Sequence, residues 1–201
     1  MRDSGSKEEK RIKILEDCFD CFCRHGLENT NAKQLGEACG MSPGNLFNNY
    51  FENKDQIIIE STAWCMAKVE DDFMAQAPRS MDEVERYIME MPYRTARMHG
   101  AQYRFMYQVY ASPRYREYGR EFFQGVTERY AEYSRMLAPG LGIPWETLQA
   151  MIFIFVRACV HYAMFENEEY LKPQLEFLLK ILRFMKESDM GKNKSEKGEP
   201  S

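Results

Sequence analysis

The sequence is poor in helix breakers, poor in basic charge and without a long apolar run. Its 201 residues hold only eight prolines and twelve glycines, which fall between apolar-periodic stretches rather than inside them; that scarcity leans towards an all-α chain. The best apolar run, residues 151–165, is short of the ~18 residues that a spanning helix needs and contains Arg157 and His161. It reads as a buried helix, and no membrane partner is expected. Residues 1–11 are charged and lack an apolar core segment, so no secretory leader is read and the expected compartment is cytoplasmic. Against 31 Asp plus Glu stand 27 Lys plus Arg, a formal net charge of −4. That balance excludes a wholesale nucleic-acid coat but not a local basic patch. Six cysteines in a reducing compartment read as thiols rather than as a disulfide framework.

What is abundant is soft and aromatic: 14 Met, 13 Phe and 12 Tyr. Such side chains line adaptable apolar cavities as well as cores. With 44% hydrophobic and 29% charged residues, disorder and fibrous structure are both excluded.

Along residues 11–23, Ile12, Leu15, Phe19 and Phe22 recur at helical spacing with Glu16, Asp17 and Asp20 opposite, and Gly26 ends the run. Residues 1–10 are expected to form a flexible N-terminus. Asn31 with Gln34 three residues on is a capping box for a short second helix that turns Ala32, Leu35 and Ala38 inward. Gly40 breaks it, and Ser42-Pro43 then offers a hydroxyl cap followed by proline at the first helical position. Asn53 with Gln56 opens a longer fourth helix to about residue 75. Ser80 with Glu83 is a further capping box, and helices are predicted over roughly 81–98, 101–110, 113–137, 145–165 and 168–186. Residues 138–144, dense in Pro and Gly, read as a loop, and residues 188–201 as a disordered tail. No strand pattern competes.

Two short helices joined by a short glycine-containing turn make a helix-turn-helix layout. The residues in it are Ile14-Leu15 with Phe19, Phe22 and Gly26, then Thr30, Leu35, Ala38, Gly40, Met41, Ser42, Gly44, Leu46, Phe47, Tyr50, Phe51 and Asn53-Lys54-Asp55. In order and spacing this run resembles the N-terminal DNA-binding domain of the TetR family of bacterial transcriptional regulators. The resemblance covers residues 11–57; the remainder is similar to the family only in length and helical character. Two departures stand out. Asn48-Asn49 occupies a place where one residue is usual, which implies a lengthened third helix or turn. The first 55 residues also hold eight Lys plus Arg against ten Asp plus Glu, whereas a DNA-binding surface is normally positive.

The resemblance implies an all-α protein with an N-terminal three-helix DNA-binding head at residues 11–53. A larger helical domain at 54–187 follows, binding a small-molecule effector and forming a homodimer. It implies a transcription regulator of double-stranded DNA operators, commonly a repressor, and neither an enzyme nor a cofactor-dependent protein. The DNA-facing residues it points to are Thr30, Lys33, Ser42, Pro43, Gly44, Asn45, Phe47, Asn48, Asn49, Tyr50 and Lys54. Lys33 and Lys54, with Lys10 and Arg11, are candidates for phosphates. Asn pairs in two-pronged fashion with adenine, which suits Asn45 and one of Asn48 or Asn49; the Asn pair also reads as a plain helix end. Phe47 and Tyr50 would lie against the sugar-phosphate backbone. Few phosphates are neutralised, so a shallow salt slope is expected.

A lone helix-turn-helix reads few base pairs, and a two-fold dimer spans half-sites ~34–36 Å apart. The expected dimer surface is Ile152, Phe155, Val156, Cys159, Val160, Leu175, Leu178, Leu179 and Leu182, a face that would equally suit an intrachain core. By elimination the effector site falls among Met66, Phe73, Tyr87, Met91, Tyr103, Met106, Tyr107, Tyr110, Phe122, Phe123, Tyr130 and Tyr162, which suit a flat or bulky apolar ligand. Arg157 and His161, four apart inside an apolar run, read either as a pocket for a polar head group or as part of a salt bridge. The fourth helix would carry the ligand's effect to the head.

An alternative is a thiol- or metal-responsive regulator using Cys18, Cys21 and Cys23. On a helix Cys21 falls roughly opposite the apolar stripe, so the three thiols do not converge. No second metal-ligand pair accompanies them, and no metal is expected. No nucleophile-base set or Gly-rich phosphate loop is present.

Overall fold

The computed structural model describes residues 3–195; the last part of the expected tail, residues 196–201, lies outside them, as do the first two residues. The described residues contain α1 (Asp3–His25), α2 (Ala32–Ala38), α3 (Pro43–Asn49), α4 (Lys54–Ala75), α5 (Met81–Ala111), a 3₁₀ turn (Pro113–Tyr115), α6 (Arg116–Leu141), α7 (Trp145–Phe165) and α8 (Glu168–Ser195), with no strand among them. The all-α expectation holds. The chain divides into two compact units, the first Met1–Gln76 with His99–Gly125, the second Ala77–Met98 with Val126–Ser201.

The first unit is built on α1. Ile14, Leu15, Cys18, Phe19, Cys21 and Phe22 are all buried, a wider arc than one apolar stripe, because α1 packs on both α2 and α4. Phe105 stacks on Phe22 at 5.2 Å and meets Phe19 edge-on at 5.6 Å. Burying each such ring stabilises by ~1.5–3 kcal/mol. Gly26, at φ +82°, takes the left-handed turn that α1 needs to stop. The compact unit does not end at the expected head boundary near Asn53: α4 and part of α5 and α6 share its core.

The second unit centres on α7 against α8. Leu148, Met151, Phe155, Ala158, Cys159 and Ala163 of α7 are buried, as are Leu171, Leu175, Leu178 and Leu182 of α8. Between the two helices Glu166 sits at φ 51° with its N–H on Tyr162 O at 2.8 Å, and Asn167 Oδ1 accepts the Tyr170 N–H at 3.1 Å to start α8. By length and composition α7 is the one helix among the described residues that would reach across a membrane; here much of it forms this seam.

Several predicted boundaries move outward. α1 begins at Asp3, through the stretch expected to be a flexible N-terminus, and α8 runs to Ser195, into the expected tail. Both extensions contain a single glycine each and no proline, and one glycine costs only about 1 kcal/mol. For the same reason Gly100 does not divide α5. Breakers are not confined to loops: Pro92, Pro139 and Pro173 all lie inside helices. Pro139 falls in the last turn of α6, where it removes one hydrogen bond without stopping the helix. The exit is instead Gly142 at φ +65°, with Ile143 N–H reaching back to Ala138 O.

Candidate nucleic-acid interface

Each short helix of the head starts on a side-chain cap. Asn31 Oδ1 accepts the Gln34 N–H at 3.1 Å while Gln34 Oε1 accepts the Asn31 N–H at 2.8 Å, satisfying donors that a helix start leaves open. Ser42 Oγ accepts the Asn45 N–H at 3.2 Å, with Pro43 at the first helical position. The turn between them is held close by Gly36: the Met41 N–H donates to Gly36 O at 2.9 Å, and a Cβ on Gly36 would sit 2.7 Å from Met41 O.

α3 is anchored by one residue. Leu46 is fully buried, and its carbonyl accepts from both Tyr50 N–H and Phe51 N–H at 3.2 and 3.3 Å. Gly44, Asn45, Asn48 and Asn49 are exposed, Phe47 and Tyr50 half-buried. Asn48 and Asn49 both belong to the last turn of α3. Asn49 Nδ2 donates to Asn45 Oδ1 at 2.6 Å. Residues 40–51 contain no charged side chain, so this face offers amide donors and acceptors rather than charge.

The expected phosphate contacts are only partly available. The Lys33 side chain is 81% exposed, with Glu37 at 3.8 Å. Lys10 lies 5.8 Å over the Tyr50 ring. Thr30, by contrast, is buried, its hydroxyl donating to Gly26 O at 2.7 Å; the side chain closes the loop after α1 and does not face outward. Lys54 donates to Leu27 O at 3.0 Å, and Arg11 pairs with Glu60 while covering Phe51 at 4.9 Å. The head's surplus of acids is partly spent in ion pairs: Asp17 with Lys13, Glu16 with Lys68, and Asp55 with Arg114.

Sequence reasoning did not find the lock at the start of α4. Tyr115 donates its hydroxyl to Asp55 Oδ1 at 2.6 Å, Arg114 Nε reaches Oδ2 at 3.1 Å, and Tyr118 donates to Ile59 O at 3.0 Å. The Tyr115 hydrogen bond, with help from Arg114, holds the Asp55 carboxyl below its usual range. No local signal announces partners about sixty residues apart.

The expected effector residues are divided between the two units. In the first unit, Tyr110 meets Phe122 at 4.8 Å and Phe123 at 5.4 Å, next to Gly119, whose Cβ would lie 3.3 Å from Tyr110 Cβ. Met66, Phe73, Tyr103 and Met106 are buried there and Tyr107 is half-buried. In the second unit, Tyr87 meets Phe155 at 5.5 Å, Tyr162 meets Tyr93 at 5.1 Å and Tyr130 meets Phe153 at 5.8 Å, while Met91 is buried. Arg157 is exposed, which removes the buried-pocket reading for it: it lies on the outer stripe of α7. His161 is half-buried against Phe165 and Tyr170, at 4.8 and 4.4 Å.

The expected dimer surface also needs correcting. Phe155, Cys159, Val160, Leu175, Leu178 and Leu182 are buried within the single chain, and only Ile152, Val156 and Leu179 are half-buried. The apolar side chains left outside are others: Ile154 and Phe165 on α7, and Tyr170, Phe177 and Phe184 spaced by seven along α8. Of the cysteines, Cys21 is buried although it falls opposite the stripe, because α1 is covered on more than one side. Burial pushes the Cys21 thiol up and the Cys23 thiol to about 12. Cys18 instead meets Cys39, which sequence reasoning did not single out, at 3.4 Å between sulfurs. Among the described residues no group of three or more His, Cys, Asp or Glu is placed to hold a metal ion.

No family model matches the chain. It is 32% identical over 82 residues to the HTH-type transcriptional repressor AcnR of Corynebacterium efficiens, a match spanning 38% of this chain and 43% of that protein. The chain thus spans less than half the length of the curated relative it matches. A crystal structure of a TetR family transcription regulator from Marinobacter aquaeolei VT8 superposes with a TM-score of 0.46 at 17% identity, covering 89% of this chain and 96% of that one. In its helix-turn-helix motif the chain resembles the TetR family of transcriptional regulators.

Proposed function

We propose that the chain is a DNA-binding transcriptional regulator, a repressor that a small, largely apolar or aromatic ligand releases from its operator. The observation that carries this reading is α3: a helix fixed from below by Leu46 and at its start by Ser42, with Gly44, Asn45, Asn48 and Asn49 turned outward. A helix so held can enter a major groove and present amides to adenine edges. Lys33 and Lys10 supply phosphate contacts beside it.

Two copies are needed to read an operator of useful length. The seven-spaced aromatics Tyr170, Phe177 and Phe184, with Ile154 and Phe165, form the apolar face that a second copy would cover. The aromatic groups around Tyr110 and around Tyr162 are the candidate effector contacts. A ligand acts by favouring a conformation in which the two recognition helices no longer match their half-sites.

Fluorescence anisotropy of the purified protein on DNA from upstream of its own gene, against scrambled DNA over a salt series, tests the reading. Selective binding with a shallow salt slope supports it; weak and equal binding to both DNAs overturns it.

A further inference from the structure

We propose that Cys39 and Cys18 form a reversible oxidation site, in which a peroxide converts the two thiols to a disulfide that ties α1 to the turn before α3. The inference rests on the DNA-binding reading for its consequence, and on the geometry and environments of the two sulfurs for its chemistry.

The two sulfurs already touch, at 3.4 Å, although 21 residues separate them. A disulfide needs ~2.0 Å between sulfurs, so the approach required is small. The environments of the pair are unequal. Cys18 lies in the head's core at 0% exposure, whereas Cys39 caps the C-terminus of α2 and is half-buried. Either sulfur can donate in this contact, and Cys39 Sγ also lies 3.8 Å from Ile14 O; the sulfur pairing lowers the Cys39 thiol while raising that of Cys18, with burial and Asp17 opposing the Cys39 thiolate and Lys13 favouring it. A thiolate is the nucleophile towards oxidants, so Cys39 is the attacking sulfur and Cys18 the resolving one. Burial pushes the Cys23 and Cys65 thiols up to about 12, which leaves them poor nucleophiles.

The steps balance. The Cys39 thiolate attacks one peroxide oxygen, the O–O bond breaks, and Cys39 becomes a sulfenic acid as hydroxide leaves. The Cys18 sulfur then attacks Cys39, the S–O bond breaks, and the Cys18 proton leaves with the departing hydroxide as water. The peroxide is reduced and two thiols are oxidised. A small dithiol or a cellular thiol pool returns the pair.

The consequence follows from what Cys39 joins. Its N–H closes the last turn of α2, and the next residues run through Gly40 and Met41 to the Ser42 cap of α3. Met41 and Pro43 press on Gly36 with no room for a Cβ. Drawing Cys39 towards α1 therefore shifts a tightly packed turn, and α3 with it.

The test treats the full-length protein with hydrogen peroxide or dithiothreitol, alkylates free thiols, and maps the Cys18–Cys39 peptide pair by mass spectrometry. DNA binding is followed in parallel by anisotropy. The expected result is a Cys18–Cys39 cross-link in the folded protein, lost in Cys39→Ser and Cys18→Ser and retained in Cys23→Ser and Cys65→Ser. Operator affinity is expected to fall about tenfold on oxidation and recover on reduction, within the ~5–150-fold usual for coupled sites. A cross-link that forms only in denaturant, or one that leaves operator affinity unchanged, overturns the proposal. If the reduced protein binds no DNA, the regulator reading falls and so does the proposed consequence, while the cross-link itself is still decided by mass.

Discussion

Asn45 and Asn49 are joined across one turn of α3 by a 2.6 Å hydrogen bond from Nδ2 to Oδ1. The bond fixes the Asn45 amide with its NH₂ directed away from the partner, which pre-sets one half of a two-pronged contact to adenine. Asn45→Ala is therefore expected to lower operator affinity by about 1–3 kcal/mol and to relax the sequence preference at one position. Lys33→Ala should instead weaken binding to all DNAs alike and reduce the salt slope by about 1. Anisotropy on operator variants separates the two outcomes, and unchanged helical circular dichroism shows that the head remains folded.

Gly36 is the tightest point of the helix-turn-helix. Gly36→Ala places a methyl against the Met41 carbonyl, and backbone cannot move aside as a side-chain end can. A cost of about 1–3 kcal/mol is expected, read as a lower thermal unfolding midpoint. Gly44→Ala, whose Cβ meets only the end of Asn48 at 4.0 Å, should not lower the midpoint and should raise it slightly.

Asp55 links acidity to stability. A carboxyl held below its usual range stabilises the fold above about pH 4 and ceases to do so as the pH falls through its lowered value. Tyr115→Phe removes the hydroxyl that contributes most to this lowering. The variant should lose about 1 kcal/mol at neutral pH. Urea titrations at stepped pH should show the gap to the parent protein closing as the pH falls below the usual carboxylate range.

Neighbouring residues on α8 are expected to behave in opposite ways. Phe177 is 55% exposed and Leu178 fully buried. Phe177→Arg should leave the monomer folded and weaken self-association, seen by sedimentation equilibrium. Leu178→Ala should destabilise the chain by about 2–5 kcal/mol through the cavity it leaves.

The parts of this fold that were legible in the sequence are those fixed by a few adjacent residues. The caps at Asn31, Ser42 and Asn53 follow from side chains that satisfy their own helix starts, and the span of α7 from an apolar run that opens after Pro144. The gap expected between helices at 81–98 and 101–110 did not form, because the single glycine there, Gly100, weakens a helix without ending it. The apolar faces of α7 and α8 were visible, but periodicity does not say whether the chain itself or a second copy covers them; Leu175 and Leu178 went inward and Phe177 outward. Contacts between distant segments left no trace at all, as with Cys18 and Cys39, or Asp55 and Tyr115. Thr30 is the reverse case, a residue matched by position whose hydroxyl is used inside the head.

The three caps of the head have a practical consequence. Asn31, Ser42 and Asn53 hold the starts of α2, α3 and α4 through neutral amide and hydroxyl oxygens, none of which titrates or is screened by ions. Raising the salt in a DNA titration therefore leaves these helix starts intact. The slope of such a titration counts displaced counterions and not fraying of the reading head.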